Sequence, residues 1–79
     1  MFTVYAIYSP SIDRLYIGQT GDFKNRLRAH REGGSGFTSR ATDWIVVYTE
    51  RYATRQEAIR RERQLKSFRG REFLRKRLK

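Results

Sequence analysis

The stretch FTVYAIYS at residues 2–9 restricts the fold more than any other part of this chain. β-Branched and aromatic residues dominate it, and apolar side chains fall on both of its faces, which predicts a strand. The 79 residues allow one small domain, whose core must be efficiently packed because no cysteine is present to supplement it. We therefore expect a single α+β domain, 1–79, with helices covering both faces of a sheet.

The remaining elements follow from turn, capping and periodicity signals. Residues 15–19 predict a second strand that forms a hairpin with the first, and residues 44–52 predict a third. Asp22 can cap a helix that runs to about Glu32, before the glycine-rich loop at 33–36. A capping box of Thr54 and Glu57 begins a second helix. We expect it to reach about residue 68, Gly70 to interrupt it, and a short basic helix to follow from about residue 71, which gives the order β-β-α-β-α-α.

The charge is strongly asymmetric along the chain. The formal net charge is +10, and residues 60–79 alone carry ten basic and two acidic side chains. This predicts a polyanionic partner, and we favour nucleic acid over a merely solubilising surface. A membrane partner is disfavoured, because the basic C-terminal stretch lacks a broad apolar face. No apolar run is long enough for a transmembrane helix or a secretory signal, so we expect a cytoplasmic protein, nucleoid-associated if it is bacterial.

Two charged residues depart from the local helical pattern. Glu62 lies on the side of the second helix that carries Ile59 and Leu65, where a carboxylate must be paired or bind a metal. A salt bridge to a neighbouring arginine, such as Arg61 or Arg63, explains it equally well. Arg26 lies beside the apolar stripe of the first helix and would point towards the sheet, although a solvated helix arginine is the simpler interpretation.

Four other residues are ambiguous when taken singly. His30 suits a half-buried helix position, and Tyr5 and Tyr16 suit core or cross-strand packing. Gly18 inside a strand indicates a bulge or a close backbone approach. A single histidine without cysteine gives no zinc site of the usual type, and no phosphate-binding loop of the Walker type is present.

Together, short motifs in a fixed order carry a resemblance to a known family. Thr3-Val4-Tyr5 is similar to its first motif, with Thr3 where the family usually has glycine, and Tyr16-Ile17-Gly18 matches its second. Arg26, His30 and Glu62 follow at the positions of the family's arginine, histidine or tyrosine, and metal-binding glutamate. The chain thus resembles the GIY-YIG nuclease superfamily, as a stand-alone single-domain member similar to the N-terminal catalytic domain of the excision repair protein UvrC.

The resemblance implies a three-stranded antiparallel sheet flanked by helices and a metal-dependent DNA endonuclease activity. One Mg²⁺, or Mn²⁺, would bind at Glu62 and at the substrate phosphate. Arg26 would contact the scissile phosphate, Tyr16 with Tyr5 close by would accept the proton of the attacking water, and His30 would relay that proton or orient a tyrosine. The implied catalytic residues are Tyr5, Tyr16, Arg26, His30 and Glu62, and the implied DNA-binding residues are Gly18, Lys24, Arg28, Lys66, Arg69 and Arg71.

The expected substrate is nicked, branched or duplex DNA, cleaved structure-selectively or with weak sequence preference in repair or recombination. Relatives usually take their targeting from appended domains, so a targeting protein partner is a further expectation. The alternatives are a catalytically inactive nucleic-acid-binding module and, on charge alone, an RNA-directed basic protein. The sequence leaves the oligomeric state open.

Overall fold

The computed structural model describes residues 1–33 and 39–78. Within them the elements follow the predicted order β-β-α-β-α-α. The strands are β1 (Phe2–Ser9), β2 (Arg14–Thr20) and β3 (Ile45–Tyr52), and the helices are α1 (Phe23–Arg31), α2 (Arg55–Lys66) and α3 (Phe68–Lys76). The predicted glycine-rich loop lies, after Gly33, outside the described residues. No helix in the described part of the chain is both long and apolar enough to cross a membrane.

β1 is the central strand of a three-stranded sheet with the order β2-β1-β3. Both pairings are antiparallel, and Tyr5 of β1 stands opposite Gly18 of β2. The β1–β3 register shifts between Ala6 and Ile7, whereas the β1–β2 register is regular throughout. The central position explains why β1 is apolar on both faces, since each face is covered by a separate layer.

Two buried clusters lie on opposite faces of β1, so the expected cover on both sides is confirmed. Val4 and Ala6 pack with residues of α2 and α3, among them Leu65 and Leu74. On the other face, Tyr5 and Ile7 pack with Ala41, Trp44 and the half-buried Phe23 and Leu27 of α1.

The sequence pattern predicted Trp44 as the first residue of the third strand. This is wrong, because Trp44 belongs to the second layer. β3 begins one residue later, at Ile45. The Trp44 indole donates to the carbonyl of Ala41 at 3.1 Å, and Arg31 Nε donates to the carbonyl of Trp44 at 3.0 Å. The segment before β3 is thereby bonded to the end of α1, and the large indole closes the second layer.

The predicted capping signals of α1 and α2 are confirmed. The Asp22 carboxylate accepts from the backbone N–H of Asn25 at 3.3 Å, and α1 ends at Arg31, just before Gly33 with its positive φ of 85°. Thr54 and Glu57 form the reciprocal capping box at the start of α2. These local signals fix where both helices begin, and hence which of their faces meets the sheet.

The predicted break at Gly70 is wrong, because the chain turns at Ser67. Ser67 ends α2 and caps α3: its hydroxyl donates to the carbonyl of Gln64 at 2.6 Å and accepts from the N–H of Gly70 at 3.2 Å. Gly70 lies inside the first turn of α3. A Cβ at Gly70 would lie 2.4 Å from the Gln64 carbonyl oxygen and 2.5 Å from Leu65 Cα. Gly70 therefore allows the backbones of α2 and α3 to approach closely, and it does not end a helix.

Replacing Gly70 with alanine should destabilise the domain, although alanine is the better helix former. The added methyl group would meet backbone atoms, which cannot move aside as a side chain can, so we expect a loss of about 1–3 kcal/mol in the free energy of unfolding. Urea denaturation measures this, with Lys76→Ala on the exposed side of α3 as the control. A Gly70→Ala protein at least as stable as the wild type would contradict the proposed close packing.

Candidate active site

The centre of the candidate site is Tyr5, whose side chain is only 1% exposed. Its ring lies over Gly18 on the neighbouring strand, and a Cβ on Gly18 would stand 2.8 Å from the Tyr5 hydroxyl oxygen. The close backbone approach expected at Gly18 is therefore found, and its partner is Tyr5. The alternative of a bulge at Gly18 is wrong, because the register there is regular.

His30 of α1 meets the hydroxyl group of Tyr5. A hydrogen bond of 2.9 Å joins Tyr5 Oη to His30 Nε2, and His30 is itself buried. The predicted stripe of Phe23, Leu27 and His30 explains this geometry, since it turns one face of α1 towards the sheet. Phe23 lies against the same tyrosine, with ring centroids 5.2 Å apart.

Tyr16 connects this buried pair to the surface. Its ring centroid lies 6.2 Å from that of Tyr5 and 5.1 Å from that of His30. Tyr16 is half-buried and lines a groove of about 240 Å³ together with Lys66, Arg71 and neighbouring β2 residues. Because β2 lies at one edge of the sheet, the groove brings together side chains from both faces.

Arg26 and Glu62 act on Tyr5 through their charges. Arg26 is exposed on α1, one turn before His30. Burial and the neighbouring Tyr16 raise the pKa of Tyr5 above its ordinary value; the Arg26 charge opposes this and the Glu62 charge adds to it. The other four residues that the sequence singled out as catalytic therefore all affect the Tyr5 hydroxyl group: His30 through a hydrogen bond, and Tyr16, Arg26 and Glu62 through electrostatic effects on its pKa.

His30 is held in its neutral form. Burial lowers its pKa, and the positive charge of Arg26 lowers it further. Because the pKa of Tyr5 is raised, both partners of the Tyr5–His30 hydrogen bond are uncharged at neutral pH. The neutral Tyr5–His30 pair is therefore suited to positioning neighbouring groups, whereas the raised pKa makes Tyr5 hard to deprotonate.

Glu62 is paired, but not with the arginines named from the sequence. Its carboxylate, 20% exposed, lies 2.6 Å from Lys66 Nζ one turn along α2. The expected pairing with Arg61 is wrong, because Arg61 Nε binds Glu50 at 3.0 Å. Arg63 lines a separate groove with Gln56, Ile59 and Arg60.

A divalent ion at Glu62 would have few protein ligands. Within residues 1–33 and 39–78, no three His, Cys, Asp or Glu side chains are close enough to hold a metal together. A single carboxylate does fit Mg²⁺, which usually keeps several waters and completes its shell with substrate phosphates. Such a site would take its remaining ligands from water and from the substrate.

The residues expected to bind DNA do not form one surface in the described part of the chain. Lys24 and Arg28 are exposed on α1, and Arg69 is exposed on α3. Lys66 and Arg71 lie in the Tyr16 groove, where Arg71 Nε donates to the carbonyl of Lys66 at 3.3 Å. Gly18 is buried beneath Tyr5. Contacts between these residues and DNA stay predictions.

The sequence reasoning missed a polar cluster that fixes α2 against β3. Glu50 accepts hydrogen bonds from the hydroxyls of Tyr48 and Tyr52, and Arg61 donates to both of its oxygens. Burial alone would raise the pKa of Glu50, but these hydrogen bonds lower it overall. The alternation of Tyr48, Glu50 and Tyr52 on one strand face was the available signal. This cluster holds the helix that carries Glu62.

The fold is the three-stranded antiparallel sheet with flanking helices that the resemblance to the GIY-YIG superfamily implied. The family model described as the GIY-YIG catalytic domain matches residues 1–76, and the chain belongs to this family. The family generally comprises endonucleases.

Two curated relatives are similar over most of the chain. UPF0213 protein SH2523 of Staphylococcus haemolyticus is 34% identical over 55 residues, covering 68% of this chain and 67% of the relative. UPF0213 protein HQ_3675A of Haloquadratum walsbyi is 37% identical over 59 residues, covering 73% and 66% respectively. The alignments thus span about two thirds of each relative. No solved structure matches the chain significantly.

The lowered pKa of His30 predicts a particular pH dependence of stability. An unfolded chain protonates this histidine near its ordinary pKa of about 6.5, whereas the folded chain resists protonation until lower pH. The unfolded state then binds more protons, so stability falls as the pH is lowered from 7.5 towards 5. Urea midpoints across this range should fall less steeply for His30→Gln than for the wild type. Equal slopes would contradict a buried, neutral His30.

Proposed function

We propose that this domain is a metal-dependent DNA endonuclease. The observation that carries the proposal is the convergence on one buried hydroxyl: Tyr5 is bonded to His30, and Arg26 and Glu62 both act on it electrostatically. Membership of the GIY-YIG family supports it, since that family generally comprises endonucleases.

Within this proposal the two tyrosines have different tasks. Tyr16 is half-buried in the groove, where a substrate water can reach it, and it would accept the proton of the attacking water. Tyr5 is fully buried with a raised pKa, so it is better placed to orient the site than to give up its proton. His30 would hold Tyr5 and, next to the Tyr16 ring, relay the proton.

Arg26 on α1 and a metal ion at Glu62 on α2 would bind the scissile phosphate. Arg26 presents an exposed guanidinium, which can contact two phosphate oxygens and balance the charge that develops there. Glu62 would hold one Mg²⁺ or Mn²⁺, whose chemistry is to bind the phosphate and stabilise the leaving oxygen. The remaining cations, on α1 and α3, would hold flanking phosphates.

We further propose that the enzyme selects DNA structure more than sequence, as a repair or recombination nuclease would. The exposed cations suit phosphate contacts, which position DNA without reading bases. Phe68 supports this preference: it is 77% exposed at the start of α3 and precedes Arg71 of the groove by one helical turn. An exposed aromatic ring beside cations can stack on an unpaired base, as found at nicks and branches.

Cleavage of nicked, branched and plain duplex DNA with Mg²⁺ or Mn²⁺ tests the proposal. We expect Glu62→Gln and Arg26→Ala each to lower the cleavage rate by about 10²–10³, the usual effect of removing one transition-state contact. Glu72→Gln and Arg60→Ala make the same charge changes on exposed helix surfaces and serve as controls. Absence of cleavage on every substrate, or full activity in both site variants, would refute the nuclease.

A nucleic-acid-binding module without catalysis is the second candidate, and Thr3 favours it. Thr3 stands in β1 where the first family motif usually has glycine, two residues before Tyr5 on the same strand face. Such a module would bind DNA in a salt-dependent manner, Glu62→Gln would not weaken binding, and no hydrolysis would occur. Polarisation binding assays at two salt concentrations, alongside the cleavage assay, separate the two functions.

A further inference from the structure

The pairing of Glu62 with Lys66 has features that an ordinary surface ion pair lacks. Exposed pairs one turn apart on a helix contribute little, because both ions stay well hydrated. Here the carboxylate is 20% exposed while the lysine is 47% exposed, so the less solvated partner is the acid. Lys66 supplies the positive charge that Glu62 needs in this half-buried position.

The arginines next to Glu62 on α2 have other contacts. Arg61 is bound to Glu50, with its Nη1 donating to Gln64 at 3.1 Å, and Arg63 lines a groove with Gln56, Ile59 and Arg60. Among the described ion pairs, the one made by Glu62 is with Lys66. Lys66 Nζ already contacts Glu62 Oε2, so a divalent cation that binds Glu62 would compete with the lysine amino group, since two positive charges at one carboxylate repel each other.

A displaced Lys66 side chain would stay close to a suitable new partner. The lysine already lines the groove with Tyr16 and Arg71, and Arg71 Nε is bonded to its carbonyl group. Its four-carbon stem is flexible, and its ammonium group offers three donors to any phosphate oxygen. A DNA phosphate in the groove would meet Lys66 and Arg71 together.

We propose that Lys66 is an exchangeable counterion, which neutralises Glu62 in the absence of a divalent cation and turns to a DNA phosphate when a cation takes its place. This inference rests on the proposed function, because that function assigns the cation to Glu62. The exchange couples the two ligands: bound DNA draws Lys66 away from Glu62 and strengthens cation binding, and the cation strengthens DNA binding in return.

The first test measures Mn²⁺ binding to the intact chain without DNA, by the loss of the free Mn²⁺ signal in electron paramagnetic resonance. Lys66→Met should bind Mn²⁺ about fivefold more tightly than the wild type, which is the upper range of what such an ion pair contributes. Lys76→Met removes the same charge from an exposed position of α3 and should change the affinity by less than about twofold. Lys66→Arg keeps the positive charge and should not bind Mn²⁺ more tightly than the wild type.

The outcomes separate this inference from the proposed function. If Glu62→Gln abolishes Mn²⁺ binding while Lys66→Met and Lys76→Met bind equally, the exchange is refuted and the cation site stands. If Glu62→Gln binds Mn²⁺ as the wild type does, Glu62 is not the ligand and both fail. Circular dichroism of each variant confirms that it is folded.

A second test examines the coupling through DNA affinity. In a chelator, Lys66 is engaged with Glu62, so Lys66→Met should weaken the binding of a short duplex by less than about twofold. Ca²⁺ can take the place of the catalytic cation while limiting cleavage. With Ca²⁺ present, Lys66→Met should bind the duplex about fivefold more weakly than the wild type, because it lacks one phosphate contact. An equal loss under both conditions would overturn the exchange.

Discussion

The buried hydroxyl of Tyr5 is the constraint on which the rest of this site depends. A phenol group inside a sheet must find a hydrogen-bond partner, and it must also have room. Gly18 gives the room and His30 is the partner, so one side chain of β1 contacts both β2 and α1. Once α1 is in place, Arg26 lies one helical turn from His30, while Tyr16 on β2 opens a groove to solvent. A single polar group in the core thus positions a site that extends to the surface.

Local signals in the sequence predicted most of the fold. Capping residues at Asp22 and Thr54, the β-branched and aromatic residues of the strands and the stripe on α1 are all local signals, and all were confirmed. The break at Ser67 was missed because glycine is also a helix terminator. At position 70 glycine is instead required because the backbone of Gln64 and Leu65 leaves no room for a Cβ atom, and this contact is visible only in the folded chain. Trp44 was assigned to β3 for a similar reason, since a layer-closing residue and a strand residue have the same apolar character.

The site itself was predictable only as a set of residues in a known order. Tyr5 and His30 are 25 positions apart, and nothing local pairs them. The resemblance to a known family identified the five residues as one set, whereas the structure shows that Tyr5 is bonded to His30 and Glu62 to Lys66. The acidic residues on α2 and opposite it show the difference: Glu50 is held by three side chains, whereas Glu62 is held by one flexible lysine. Periodicity cannot distinguish these two environments, because both carboxylates lie on faces that pack against the domain.

The joint at Ser67 has a mechanical consequence. One residue ends α2 and begins α3, and the backbones on either side of it are in contact at Gly70, so the two helices cannot swing independently. The main chain therefore sets where the backbone of α3, with its cations, stands relative to the part of α2 that carries Glu62. In the proposed nuclease, this rigid joint between α2 and α3 would fix how many nucleotides separate the phosphate bound by α3 from the phosphate that is cleaved.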